Sequence, residues 1–250
     1  MPKSDTSARS SRKAALALGI LGIVTGAGFA LTPEIPRWSG AGSRVVTGEP
    51  LPSLPEAFSP IAVTGRIVCI GDSNTRGSRL DRGEHAFPAL MARELAGTIV
   101  RNHGIGGETV AMARLRPEVS TGPGDLVILM FGTNDARVRG WLSRTPYADP
   151  EGYRRDLATL AIAYRETGAQ VLVLAPLPTG ATAMERRIRP YRTAARDAAG
   201  TAGVLFLDPV EAFATEAAKS PLAFDGIHLN QQGQIALARW LVRFIRPVRT

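Results

Sequence analysis

The feature that most constrains this chain is an alternation. Short, nearly continuous apolar runs occur at residues 66–70, 125–131, 170–175 and 203–207, with a weaker strand candidate at 98–102. Between and after them lie segments of helical character at 86–96, 109–115, 150–167, 188–199 and 231–244. In the segment 150–167, for example, Tyr153, Leu157, Leu160, Ala161 and Tyr164 fall on one helical face. A strand that is apolar along its whole length is buried on both faces, and the intervening helices supply the covering layers. The pattern predicts an α/β fold: a three-layer α/β/α sandwich around a central parallel five-stranded sheet. In open sheets of this kind ligands bind beyond the carboxyl ends of the strands. The polar segments that directly follow the apolar runs are therefore where chemistry is sought.

What precedes the alternation has a different character. Residues 1–13 are polar and carry Lys3, Arg9, Arg12 and Lys13, and residues 14–32 then contain no charged side chain. A basic start followed by an apolar run reads as a targeting segment. It fits a signal peptide ending near Ala30, and equally an uncleaved anchor, since its 19 uncharged residues come close to the ~20 that span a bilayer. On either reading the body of the protein is extracytoplasmic, periplasmic or secreted, with a membrane attachment if the segment is retained. Residues 33–64 contain prolines at 33, 36, 50, 52, 55 and 60 and read as a linker or a strap on the domain surface, which leaves 65–250 as the folded domain.

Charge and cysteine usage exclude some functions. The net charge is +8, but part of it belongs to the targeting segment, and only Lys3, Lys13 and Lys219 among the 30 basic residues are lysine. An export signal and few aromatics beside the basic clusters argue against a nucleic-acid partner. The single cysteine, Cys69, excludes an intramolecular disulfide and a cysteine-cluster metal site, and its place inside an apolar run makes it a small core residue.

Four polar segments sit where the fold reading puts ligand chemistry. Gly71-Asp72-Ser73-Asn74-Thr75 follows the first strand, Asn102 to Thr109 the second, and Gly132-Thr133-Asn134-Asp135 the third, while Asp225-Gly226-Ile227-His228 precedes the last helix. Together they supply the parts for acyl transfer. Ser73 would be the nucleophile, and its weakly acidic hydroxyl needs an adjacent base. His228 would take the proton and return it to the leaving group. Asp225 would orient the imidazole and stabilise its charged form. The backbone N–H groups of Ser73 and Gly107 and the side-chain amide of Asn134 are the candidate oxyanion donors. Each segment alone has a plainer reading. Ser73 could be a turn residue or a helix cap. Gly104, Gly106 and Gly107 lack the spacing of a dinucleotide-binding loop. His85 reads as a surface residue, His103 as local packing, and Asp72 and Glu108 as structural acids. All four segments in order favour the catalytic reading.

In these segments the chain resembles the SGNH hydrolases, also called GDSL-type esterases and lipases. Gly71-Asp72-Ser73 resembles their first block, with Asn74 where many members have leucine. Asn102, Gly104 and Gly107-Glu108-Thr109 resemble the second, Gly132-x-Asn134-Asp135 the third, and Asp225-x-x-His228 the last. The resemblance implies a flavodoxin-like sheet ordered 2-1-3-4-5, no cofactor and no metal. It also implies Gly107 as an oxyanion donor.

The expected activity is hydrolysis of a short, acetyl-like ester on a small molecule or glycan through an acyl-serine. The alternatives are O-acyl transfer to an envelope polysaccharide, a lysophospholipase- or thioesterase-like activity, and a non-catalytic glycan-binding domain on the same fold. Arg76, three residues after Ser73, and Trp141 are candidate substrate contacts. Two arginine-rich stretches, 137–147 and 176–192, could rim the pocket, and Arg186, Arg187, Arg189 and Arg192 of the second read more simply as solvated side chains.

Overall fold

The computed structural model describes residues 49–55, 59–116, 119–137, 149–214 and 220–248. The targeting segment expected at 1–32, the connector up to residue 48 and Trp141 lie outside these.

Five parallel strands form the central sheet: β2 (Ile67–Gly71), β3 (Val100–Gly104), β4 (Leu126–Met130), β5 (Gln170–Leu174) and β6 (Leu205–Leu207). Their order is β3-β2-β4-β5-β6, which for these five strands is the 2-1-3-4-5 that the resemblance implied. β2 and β4 are buried at every position, and the pleat sends alternate side chains to opposite faces. Val68, Ile70, Val127 and Leu129 join one core with α3 (Val110–Leu115), α4 (Pro150–Glu166) and α5 (Thr182–Ala202). Ile67, Cys69, Leu126 and Ile128 join the other with α2 (Phe87–Glu94) and α6 (Gln231–Val242). A fully buried side chain such as Leu157 or Leu237 contributes about 1.5–3 kcal/mol by leaving water.

The sheet edges account for the departures from the sequence reading. β3 lies at one edge with exposed Arg101 and Asn102, and it runs from Val100 to Gly104, two residues later than the 98–102 expected. A strand with one poorly covered face carries a weak apolar signal, so its register is hard to read. At the other edge Leu54 pairs antiparallel with Phe206, exchanging both backbone hydrogen bonds at 3.1 and 2.8 Å. This contact covers an edge that would otherwise offer unpaired N–H and C=O groups. Residues 61–63, placed in the connector by composition, form β1 (Ile61–Val63), which pairs in parallel with β7 (Ile245–Pro247). α5 begins at Thr182, six residues before the start expected, and runs through Pro190. The ring of Pro190 removes one helical N–H, but Arg186, whose carbonyl loses that donor, is exposed to water.

Candidate active site

Chain order reverses direction at β2, whose neighbours β3 and β4 are reached by crossovers to opposite sides. The crevice at such a switch point is the expected ligand site, and Ser73 stands there. β2 ends at Gly71, and the chain turns directly into the single-turn helix α1 (Ser73–Arg76). Asp72 caps the turn by accepting the Asn74 N–H at 2.9 Å. Ser73 is therefore the first helical residue and not the cap. The turn is packed too closely to be enlarged: a Cβ on Gly104 of β3 would sit 2.2 Å from the Arg76 nitrogen.

The structure brings Ser73, His228 and Asp225 together. His228 Nε2 lies 2.9 Å from Ser73 Oγ, and Nδ1 lies 2.7 Å from Asp225 Oδ2. A carboxylate only accepts, so Nδ1 carries the ring proton and Nε2 presents its lone pair to the serine hydroxyl. The other carboxylate oxygen accepts the backbone N–H groups of Ile227 and His228 at 3.0 and 2.9 Å. Burial pushes the Asp225 carboxyl up, but these two N–H groups and the His228 ring outweigh it and hold it below its ordinary value. Asp225 is thus a fixed anion, suited to stabilise an imidazolium.

The oxyanion donors expected from sequence are Ser73, Gly107 and Asn134. Among the described residues, the backbone N–H groups of Ser73 and Gly107 donate to no protein acceptor. Gly107 adopts φ +78°, a left-handed conformation open to glycine at no steric cost. The Asn134 side-chain amide donates to the Glu108 carbonyl at 3.0 Å, which fixes the amide against the loop that carries Gly107. A second tie joins these segments, since Asp135 Oδ1 accepts the Val110 N–H at 3.1 Å.

Three acids of these segments, Asp72, Glu108 and Asp135, are buried. Burial raises the Asp72 carboxyl to about 7 against the opposing Asn74 N–H, and the nearby Asp135 and Glu108 add to the rise. Burial also raises Glu108, opposed by Arg116, whose Nε lies 3.1 Å from it. Asp72 acts as a cap and Glu108 as an ion-pair partner, the structural roles expected of them. Burial pushes the Cys69 thiol far up, so this core residue is no nucleophile at neutral pH.

Several residues that shape the site were not singled out by the sequence. Asn74, read there only as a variation next to the serine, is buried and accepts the Leu229 N–H at 2.8 Å, while Gln234 Nε2 donates to the Asn74 carbonyl at 3.1 Å. The turn that carries Ser73 is in this way bound to the loop that carries His228. Arg79 approaches Asp225 through Nε at 3.4 Å. Arg192 corrects the reading of its stretch as solvated: it is buried and pairs with Glu185 at 3.4 Å and with Asp208 Oδ1 at 2.7 Å. Arg186, Arg187 and Arg189 are exposed. Single charged letters do not reveal such pairings, which depend on helix placement. The first arginine-rich stretch lies outside the described residues except for Arg137, which is exposed.

Among the described residues no cluster of ligating side chains could hold a metal, and no helix is long and apolar enough to cross a membrane. The comparisons agree with the geometry. The GDSL-like lipase/acylhydrolase family profile matches residues 69–236. An acetylxylan esterase from Geobacillus stearothermophilus superposes with a TM-score of 0.59 at 23% identity, over 75% of this chain and 99% of its own. A lipase/acylhydrolase from Enterococcus faecalis superposes with a TM-score of 0.58 at 22% identity, over 71% of this chain and 94% of its own. The Bacillus subtilis lipoprotein YqeF is 30% identical over 119 residues, 45% of this chain, and the chain spans about half the length of that relative, 48%. The chain belongs to the GDSL-like lipase/acylhydrolase family.

Proposed function

We infer that the protein removes short acyl groups, acetyl above all, from a carbohydrate or other small hydroxylated substrate outside the cytoplasm, through an acyl-serine. The observation that carries the reading is the continuous Asp225–His228–Ser73 relay at the switch point of the sheet. His228 Nε2 takes the proton as Ser73 Oγ attacks the ester carbonyl. The resulting oxyanion accepts hydrogen bonds from the Ser73 and Gly107 N–H groups and from Asn134. The imidazolium, held by Asp225, then protonates the leaving alkoxide, which departs as an alcohol. Water enters, gives its proton to His228, and attacks the acyl-serine. Collapse of the second intermediate frees the carboxylic acid and restores the serine hydroxyl, so ester and water become acid and alcohol.

The acetyl preference and the carbohydrate draw support from the acetylxylan esterase with which the fold superposes. The location outside the cytoplasm draws support from the basic-then-apolar start of the chain and from the lipoprotein relative. Hydrolysis of nitrophenyl esters from acetate to decanoate tests the acyl range. Rates are expected to fall steeply beyond butyrate, and a maximum at decanoate would overturn the short-acyl assignment. Release of acetate from acetylated oligosaccharides tests the carbohydrate assignment, and failure to release any would refute it.

A further inference from the structure

We propose that the alcohol half of the natural ester carries an anionic group, a carboxylate or a phosphate, received by Arg76 and Arg79. This rests on the esterase reading of the same site and names the kind of substrate it takes. A cleft of about 600 Å³ opens beside the catalytic histidine, with Arg76, Ser78, Arg79 and His228 in its wall and no acidic residue in its lining among the described residues. His228 is the group that protonates the leaving oxygen. A cleft containing His228 but neither Gly107 nor Asn134 is therefore where the alcohol half lies, with the carbonyl oxygen on the other side.

Both arginines are placed for this role. Arg76 is exposed at the end of α1 and has no carboxylate partner among the described residues. Its Nη1 lies 3.3 Å from the point a Cβ on Gly106 would occupy, so the guanidinium leans over the oxyanion loop. Arg79 is the one non-glycine residue with a positive φ, 72°, among the described residues. Such a conformation persists only where its surroundings hold it, and it marks functional positions more often than chance. Here the side chain lies over the Phe224 ring, 5.5 Å from its centroid, and Nε meets Asp225 at 3.4 Å. Asp225 already accepts the His228 ring and two backbone N–H groups. The Arg79 side chain remains 53% exposed. A guanidinium presents several donors in a flat fork that matches a carboxylate or phosphate. Two of them around a cleft without acids make a receptor for one anion next to the scissile oxygen.

The test uses three acetyl esters with the same aryl leaving group: meta-acetoxybenzoate, meta-acetoxyphenyl phosphate and the neutral meta-acetoxybenzamide. The full-length protein is expected to show kcat/KM at least about tenfold higher for one of the anions than for the amide, equivalent to one charge-assisted contact. The larger of the two values identifies carboxylate or phosphate as the source. The preference should shrink as salt is raised and should fall to within about twofold in the Arg76→Gln, Arg79→Gln double variant. Equal rates on all three esters, or a preference that survives in the double variant, would overturn the proposal. The esterase reading would then still stand, because the amide is turned over and Ser73→Ala abolishes that turnover. If none of the three is cleaved, the esterase reading falls and the proposal with it. Should the double variant not fold, inhibition of nitrophenyl acetate hydrolysis by the product alcohols decides the matter. Meta-hydroxybenzoate or meta-hydroxyphenyl phosphate must inhibit the unaltered enzyme more strongly than meta-hydroxybenzamide, and equal inhibition by all three refutes the anion site.

Discussion

Asn74, the residue after Ser73, accepts through its side-chain oxygen the backbone N–H of Leu229, the residue after His228, at 2.8 Å. Two segments that lie 155 positions apart in the chain are thereby held in register. Gln234 extends the tie: its Nε2 donates to the Asn74 carbonyl at 3.1 Å, and its Oε1 accepts the Phe87 N–H at 2.8 Å. The clamp joins the two segments that carry Ser73 Oγ and His228 Nε2, which lie 2.9 Å apart.

Asn74→Ala is accordingly expected to lower kcat more than it changes KM, because it loosens the base without touching the substrate. It also leaves the buried Leu229 N–H without an acceptor, at a stability cost of about 1–3 kcal/mol. Asn74→Asp keeps the acceptor and should recover part of kcat. Steady-state kinetics beside a denaturant titration check both. An unchanged kcat in a variant that is destabilised as expected would reduce Asn74 to a packing role.

Asn134→Ala removes the side-chain amide proposed as an oxyanion donor. Loss of such a donor raises the barrier by roughly 2.7–4 kcal/mol. The fall should appear in kcat for every ester tried, whatever its alcohol. A rise in KM alone would mean that Asn134 contacts the ground state and not the developing oxyanion.

The buried Asp72 carboxyl gives a pH signature of stability. Its folded-state value is raised to about 7, above the ordinary carboxylate range near 4 in the unfolded chain. Between these two values the unfolded chain sheds a proton that the folded protein keeps, so this group's contribution to stability declines as pH rises from about 4 to 7. Asp72→Asn keeps an oxygen to cap α1 and has no proton to lose. The stability of the variant relative to the unaltered protein should therefore grow with pH across that window, by an amount on the order of a few kcal/mol. Unfolding titrations of both proteins at several pH values measure it. A constant difference would show that Asp72 ionises normally in the folded state.

Arg192 predicts a larger effect on the fold. It lies between Glu185 and Asp208, and all three side chains are buried. Asp208 Oδ2 also accepts the Leu51 N–H at 2.8 Å, and Glu185 Oε2 accepts the Thr179 N–H at 2.9 Å. Gly180, next to Thr179, donates its N–H to the Gly226 carbonyl at 2.8 Å, within the turn that carries Asp225. Arg192→Met strands two buried carboxylates and should destabilise the protein by about 3–5 kcal/mol, measured by chemical denaturation. A loss below 1 kcal/mol would mean that water reaches the network.

How much of this was legible in the sequence varies with the physics of each element. β2, β4 and β5 lie in the sheet interior, so their apolar runs announced them. β3 is an edge strand with exposed Arg101 and Asn102, and its register was misread by two residues. α5 starts at Thr182, six residues before the expected 188, and Pro190 lies well inside it. The approach of Asp225, His228 and Ser73 to one another was legible because the segments that carry them follow or face strand ends. Asn74, Arg79 and Arg192 meet partners distant in sequence, and nothing in their local pattern separates such contacts from ordinary solvated side chains.

The central claim is that Ser73 is acylated. Intact-mass and peptide mass spectrometry after rapid acid quench of the protein with nitrophenyl acetate measures this directly. An acetyl adduct is expected on the peptide that contains Ser73, accumulating further in His228→Ala if any acylation persists there, and absent from Ser73→Ala together with the hydrolytic activity. An adduct on another residue, or hydrolysis undiminished in Ser73→Ala, would contradict it.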